Sequence, residues 1–153
     1  MSNLNSRALF DISLSLHPVQ NLGATPMGTR RIVPVSGGTF KGDRLKGFVL
    51  ENAAADWIVV RADGSVQLDV RLTLETDDGA LIYMTYRGVR NSTPEVAERL
   101  ARGDSVDPGE YYFRTSPFFE TSSEKYAWLN NIVSVAVGER LAAGVKYRVF
   151  EIL

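Results

Sequence analysis

Asp69 and Arg71 stand two residues apart on the strictly alternating run Val66 to Glu75 and could do acid–base chemistry together. In an extended strand, side chains two apart share a face, so the carboxylate and the guanidinium lie side by side. A carboxylate kept ionised by a neighbouring cation can accept a proton. A guanidinium or a phenol can then steady the oxyanion that forms. Asp78-Gly79 is a strong hairpin signal, because Gly favours and Asp tolerates positive φ. The returning strand carries Leu81, Tyr83, Thr85 and Arg87 on one side. The hairpin therefore puts Tyr83 and Arg87 on the face of Asp69 and Arg71. Asp69, Arg71 and Tyr83 form the candidate catalytic set.

Other residues offer ligand contacts. Arg30 follows a Gly-rich loop and can reach an anionic group, as can Arg87. Trp57, Phe119 and Trp128 can shape apolar walls, and Glu120 can bring a second carboxylate. Tyr126 is an alternative phenol, on the segment that also carries Asn130. The same polar face has a simpler reading, as a solvated outer surface on which an Asp–Arg pair contributes about 0–1 kcal/mol. Tyr, Trp and Phe on both sides of the strands argue that neither face is simply wet, and then the polar face lines an interior pocket.

The elements that must position these groups are mostly strands. Ala8 to Leu16 alternates, Arg30 to Val35 and Leu45 to Leu50 are extended, and Trp57 to Arg61 is β-branched. The stretch between His17 and Thr29, with two prolines and two glycines, reads as loop. Thr93 to Arg102 reads as the single helix, capped by Ser92 or Thr93, with Pro94 in its first turn and Gly103 at its end. Pro117 makes Tyr111 to Glu120 an edge, bent or bulged strand. Ser122 to Asn131 is a turn or one short helix. The segments Ile132 to Val137 and Val145 to Leu153 close the chain as a hairpin around GERLAAG. About nine serial strands joined by short turns predict an antiparallel sheet. A sheet of that size tends to close. The expected fold is all-β, a single closed or nearly closed antiparallel β-barrel with one short helix, spanning 1–153 as one domain. The alternative is a β-sandwich.

Composition narrows the function. The 153 residues are 44% hydrophobic and 23% charged, with a formal net charge of -1. No global field draws nucleic acid or an anionic membrane, and no run reaches the ~20 apolar residues of a spanning helix. A cytoplasmic location is the expectation, with neither nucleic acid nor membrane as partner. Cysteine is absent and histidine occurs once, at His17, so thiolate sites and histidine-rich metal sites are ruled out. Neither a metal nor another cofactor is expected. Gly37-Gly38 and Gly42 lack the spacing of a phosphate loop, and better suit a bend at a barrel corner.

An ordered set of motifs supports the barrel. Gly28-Thr29-Arg30, Pro34, Gly37-Gly38-Thr39-Phe40, Asp56-Trp57, Asp63-Gly64, Asp69-Val70-Arg71, Asp78-Gly79-Ala80, Arg87-Gly88, Phe119-Glu120 and Tyr126-Ala127-Trp128-Leu129-Asn130 follow one another along nearly the whole chain. The set resembles a bacterial family of similar length, catalogued as a domain of unknown function and as an uncharacterised protein family. The resemblance implies an antiparallel β-barrel, often oligomeric, with a pocket of mostly unassigned role. Glu51 to Ala55 departs from the Pro-Gly-Gly type segment usual before the Asp-Trp pair, which bears on the ligand.

Three functions fit. The first is a cofactor-independent lyase, hydratase or isomerase acting on a small apolar or aromatic carbonyl compound. The second is a non-catalytic binding or carrier barrel for such a molecule. The third is a structural protein with a filled lumen. A small-molecule ligand is the expected partner, and apolar residues on both strand faces point to a homodimer or higher homo-oligomer.

Overall fold

Alternation of this kind produces ten strands in the computed structural model, which describes residues 3–153. They are β1 (Ser6–Leu16), β2 (Gln20–Thr25), β3 (Gly28–Lys41), β4 (Lys46–Val49), β5 (Ala55–Val60), β6 (Val66–Thr76), β7 (Leu81–Asn91), β8 (Tyr112–Glu120), β9 (Ser134–Leu141) and β10 (Gly144–Ile152). All belong to one antiparallel sheet, and pairing of β1 with both β10 and β3 closes it. A β-sandwich is thereby excluded. β4 and β5 lie end to end between β3 and β6. β1 and β2 likewise share the opposite edge of β3. The result is an 8-strand closed barrel with two extra strands.

The helix is where the capping residues placed it. α1 runs Pro94–Ala101, Thr93 accepts the Val96 N–H on its side-chain oxygen, and Gly103 (φ 81°) follows the last turn. Three expectations change. The stretch after His17 is not all loop, because Gln20–Thr25 pairs with Gly28–Ile32. Its breakers are placed to permit this: Pro18 and Pro26 flank the strand, and Gly23 sits where the register shifts. The last hairpin is much tighter than GERLAAG suggests, since Leu141 pairs directly with Gly144 and most of that segment is strand. Pro117 does not end or bulge its strand. It pairs with Tyr86 on one side, while on the other the ladder to β9 involves only Arg114 and Thr115. There the Pro117 carbonyl accepts from Ser134 Oγ at 2.5 Å, so the missing N–H of proline costs no ladder bond.

Gly37 and Gly38 stand where β3 passes from β2 to β1. A Cβ on Gly38 would collide with the Ser13 carbonyl, so these glycines serve close strand approach at a corner.

The two ends of the barrel differ. At one end Leu72, Leu74, Ile82 and Met84 fill the lumen and are buried. Phe10 packs on Phe40 and Phe119 with ring centroids 5.4 and 5.9 Å apart. A 3-10 turn, Ala127–Asn131, seals this end through fully buried Leu129. The other end is hollow and lies beside α1. No helix among the described residues is long and apolar enough to cross a membrane.

Candidate active site

Strand pleating decides which side chains enter the hollow. On β6 the inward set is Val66, Leu68, Val70, Leu72 and Leu74, and on β7 it is Ile82, Met84, Tyr86 and Arg90. The polar set of β6 points outward. The register does bring Asp69 opposite Arg87 and Thr73 opposite Tyr83, and Asp69, Arg71, Tyr83 and Arg87 share one face as expected. That face is the outside of the barrel. Asp69 and Arg87 approach to 3.9 Å, with the Arg87 side chain 77% exposed. Together with Phe118 they border a shallow outer groove. The expectation that this face lines the lumen is corrected. Turning it inward would strand several charges among apolar walls and put five aliphatic side chains in water, and both costs oppose it.

The hollow end has its own polar set. Asp56 of β5, Tyr86 and Arg90 of β7, Arg140 of β9 and Tyr147 of β10 meet Leu68, Val70 and Phe113 around a cavity of about 90 Å³. It continues outward, past Arg90 and Arg140, into a vestibule of about 500 Å³ walled partly by Ala97, Leu100 and Ala101 of α1. Asp56 is placed by a gap in the sheet. The β5–β6 ladder pairs Asp56 with Val70 and Val59 with Gln67 but skips the residues between, in unchanged register. The Asp69 N–H, without a strand partner there, donates to Asp56 Oδ1 at 3.1 Å.

Burial shifts the acidities in this chamber. Asp56 is pushed up to about 7, chiefly by desolvation and further by the Asp69 charge behind it; the Asp69 N–H and Arg90 only partly offset this. The Tyr86 and Tyr147 phenols are raised above their ordinary value, again by desolvation first. Their rings meet edge to face with centroids 5.2 Å apart, and Phe113 stacks on Tyr147 in the same way at 5.3 Å. Arg90 is brought down to about 10 by burial and by Arg140 beside it, and stays a cation at neutral pH. Arg90 Nη1 and Arg140 Nε are buried without a hydrogen-bond partner. The arrangement offers a carboxyl that titrates near neutrality, two neutral phenols as donors, and two cations at the throat.

The other sequence-derived candidates lie elsewhere. Arg30 donates to the Trp57 carbonyl at 3.1 Å, and Arg71 lies over the Trp57 ring at 5.3 Å. Phe119 belongs to the packed end. Glu120 is exposed. The Tyr126 hydroxyl donates to the Asp78 carboxylate at 3.0 Å. Arg44 covers Trp128 at 3.4 Å, and the Asn130 amide clasps the Thr121 backbone in both directions. None of these residues lines the chamber. Of the chamber's polar residues, Asp56 stands in the Asp-Trp motif, Tyr86 and Arg90 continue the apolar side of β7, and Arg140 sits within the segment read as a turn. Two signals could have found them: a lone carboxylate in the extended run ADWIVV, and polar residues prolonging the apolar series of β7.

Fold and chamber together define a small closed antiparallel barrel, packed at one end and holding a cluster of titratable groups around a cavity at the other. The chain belongs to the DUF3237 family of proteins of unknown function, whose family model matches residues 5–152. It is 36% identical over 150 residues to a UPF0311 protein of Rhodopseudomonas palustris, covering 98% of this chain and 97% of that one. The crystal structure of the R. palustris protein superposes with a TM-score of 0.95 at 35% identity over the full length of both chains. A β-barrel like protein from Acinetobacter baumannii superposes at 0.87 with 43% identity, covering 100% of this chain and 98% of that one. A hydroalkoxylation enzyme of Penicillium herquei is 27% identical over 130 residues, covering 85% of this chain and 71% of that one.

Proposed function

We propose that the hollow end is the active site of a cofactor-independent acid–base enzyme of the lyase type, acting on a small apolar or aromatic conjugated carbonyl compound. The observation that carries this is Asp56: a buried carboxyl facing the cavity, titrating near neutrality, with two neutral phenols beside it. A group with that acidity both takes and returns a proton at neutral pH. In the forward direction Asp56 removes the proton from an attacking hydroxyl or water. The oxygen bonds to the β-carbon, and the C=C electrons move onto the carbonyl oxygen. Tyr86 and Tyr147 donate hydrogen bonds to that oxyanion. The proton then passes to the α-carbon, and electrons and atoms balance without oxidant or reductant. The apolar walls of Leu68, Val70 and Phe113 keep bulk water out and strengthen each polar contact. The relationship to an enzyme named for hydroalkoxylation, the addition of an O–H across a C=C bond, supports the same class.

The test is solvent-deuterium incorporation at the α-carbon of a panel of hydroxyl-bearing conjugated carbonyl compounds, followed by NMR. Wild-type protein is expected to accelerate exchange or addition for at least one of them, and Asp56→Asn to slow it by about 10²–10⁴-fold. Full activity in Asp56→Asn rules out Asp56 as the base. Tight binding with no exchange by the wild type identifies a carrier instead.

A further inference from the structure

The throat between chamber and vestibule holds two arginines whose buried polar atoms the protein leaves unused. Arg90 and Arg140 border both spaces. Arg90 Nη1 and Arg140 Nε have no hydrogen-bond partner, and neither guanidinium forms an ion pair among the described residues, although six other arginines do. Two like charges sit close enough to weaken each other. The one carboxyl of the chamber, Asp56, is half-protonated near neutrality and compensates them poorly. Buried donors without partners, in a pocket carrying excess positive charge, are costly unless something anionic arrives.

Their positions are held by the rest of the fold. The Arg90 guanidinium stands 5.9 Å above the ring of Phe113. The Arg140 backbone N–H donates to the Tyr111 hydroxyl at 2.9 Å, which fixes this part of β9 against the start of β8. Two planar forks bordering one throat suit a carboxylate or another oxyanion, which can accept from both.

We infer that Arg90 and Arg140 form an anion clamp at the throat, so that the chamber takes an amphiphilic monoanion: an apolar or aromatic body inside, and a carboxylate seated between the two guanidinia. This deepens the reading of the chamber as a substrate site. It adds a second anchoring point, distinct from the oxyanion position beside the two tyrosines. It also sets the orientation, with the reacting carbon inward toward Asp56 and the charged group outward.

The experiment measures binding rather than turnover. Benzoate and its neutral isostere benzamide are titrated into the full chain by calorimetry and thermal shift at pH 7.5, with inorganic phosphate as an anion lacking an apolar body. Benzoate is expected to bind at least tenfold more tightly than benzamide, and phosphate to bind weakly. Arg90→Gln and Arg140→Gln are each expected to remove that preference while benzamide affinity stays the same. Equal affinity for benzoate and benzamide in wild-type protein overturns the clamp, as does no benzoate binding up to its solubility limit. So does a benzoate preference that survives in both variants, and Arg90→Met and Arg140→Met, likewise uncharged, serve if a glutamine variant does not fold. The two assignments fail separately. Asp56-dependent turnover without anion preference removes only the clamp. Anion preference with Asp56-independent turnover removes only the proposed base.

Discussion

Asp56, the proposed base, is buried at a cost to stability. Its carboxyl is raised from 3.8 to about 7 in the folded chain. The folded state therefore holds a proton that the unfolded state has lost between those values. By linkage, stability falls as pH rises from about 4 through about 7, with a loss on the order of 4 kcal/mol at most. Asn in its place can still accept the Asp69 N–H and carries no charge to desolvate. Asp56→Asn is expected to be more stable than wild type at pH 8 and to show little difference at pH 4, measured by urea unfolding at both values. A stability difference independent of pH would contradict the assigned acidity. Asp69 acts on Asp56 from behind: removing its outer charge in Asp69→Asn is expected to lower the Asp56 pKa, shifting the acid limb of any pH–rate profile downward with a small change in maximal rate.

At the scale of elements, the chamber depends on a few close approaches. A Cβ on Gly138 of β9 would sit 2.7 Å from the Phe113 ring. Phe113 is buried at 2% exposure and lines the cavity, so it has little room to withdraw. Gly138→Ala is expected to cost about 1–3 kcal/mol and to weaken benzoate binding, read by unfolding and by calorimetry. The α1 wall of the vestibule rests on its cap. Thr93→Ala removes the acceptor for the Val96 N–H and is expected to cost about 1 kcal/mol, with faster hydrogen exchange confined to the α1 amides. The gap in the β5–β6 ladder matters in the same way. Continuous pairing there would occupy the Asp69 N–H and leave Asp56 without its donor.

Across the whole molecule, close packing and the proposed site occupy opposite ends of one barrel. Among the described residues closure pairs most strands on both sides, the β8–β9 ladder being the short one, at Arg114 and Thr115. At the packed end Leu74 and Ile82 are fully buried. Leu74→Ala is expected to cost about 2–5 kcal/mol in equilibrium unfolding while leaving chamber affinities unchanged, because the sites are separate enough to act independently. The hollow end gives up that packing and holds the partnerless Arg90 and Arg140 atoms instead. Outside the barrel, Tyr83, Phe118, Val135 and Val137 remain 39–52% exposed.

Local pattern alone determined most of the architecture. Period-two alternation named the strands, Asp-Gly pairs named two turns, and Thr93, Pro94 and Gly103 bounded the helix, because each is a short-range property of the chain. The closed antiparallel barrel followed from their serial order. It also put Asp69, Arg71, Tyr83 and Arg87 on one face, since pleat and hairpin register are local. Which face looks inward was not local. It was decided by the summed burial of Val66, Leu68, Val70, Leu72 and Leu74 against every other strand at once. The site itself was less legible still: Asp56, Tyr86, Arg90, Arg140 and Tyr147 come from four strands, and Arg140 lies in a stretch that turn-forming residues made look like loop. Only closure of the sheet brings them around one space, and only there does desolvation give them their acidity.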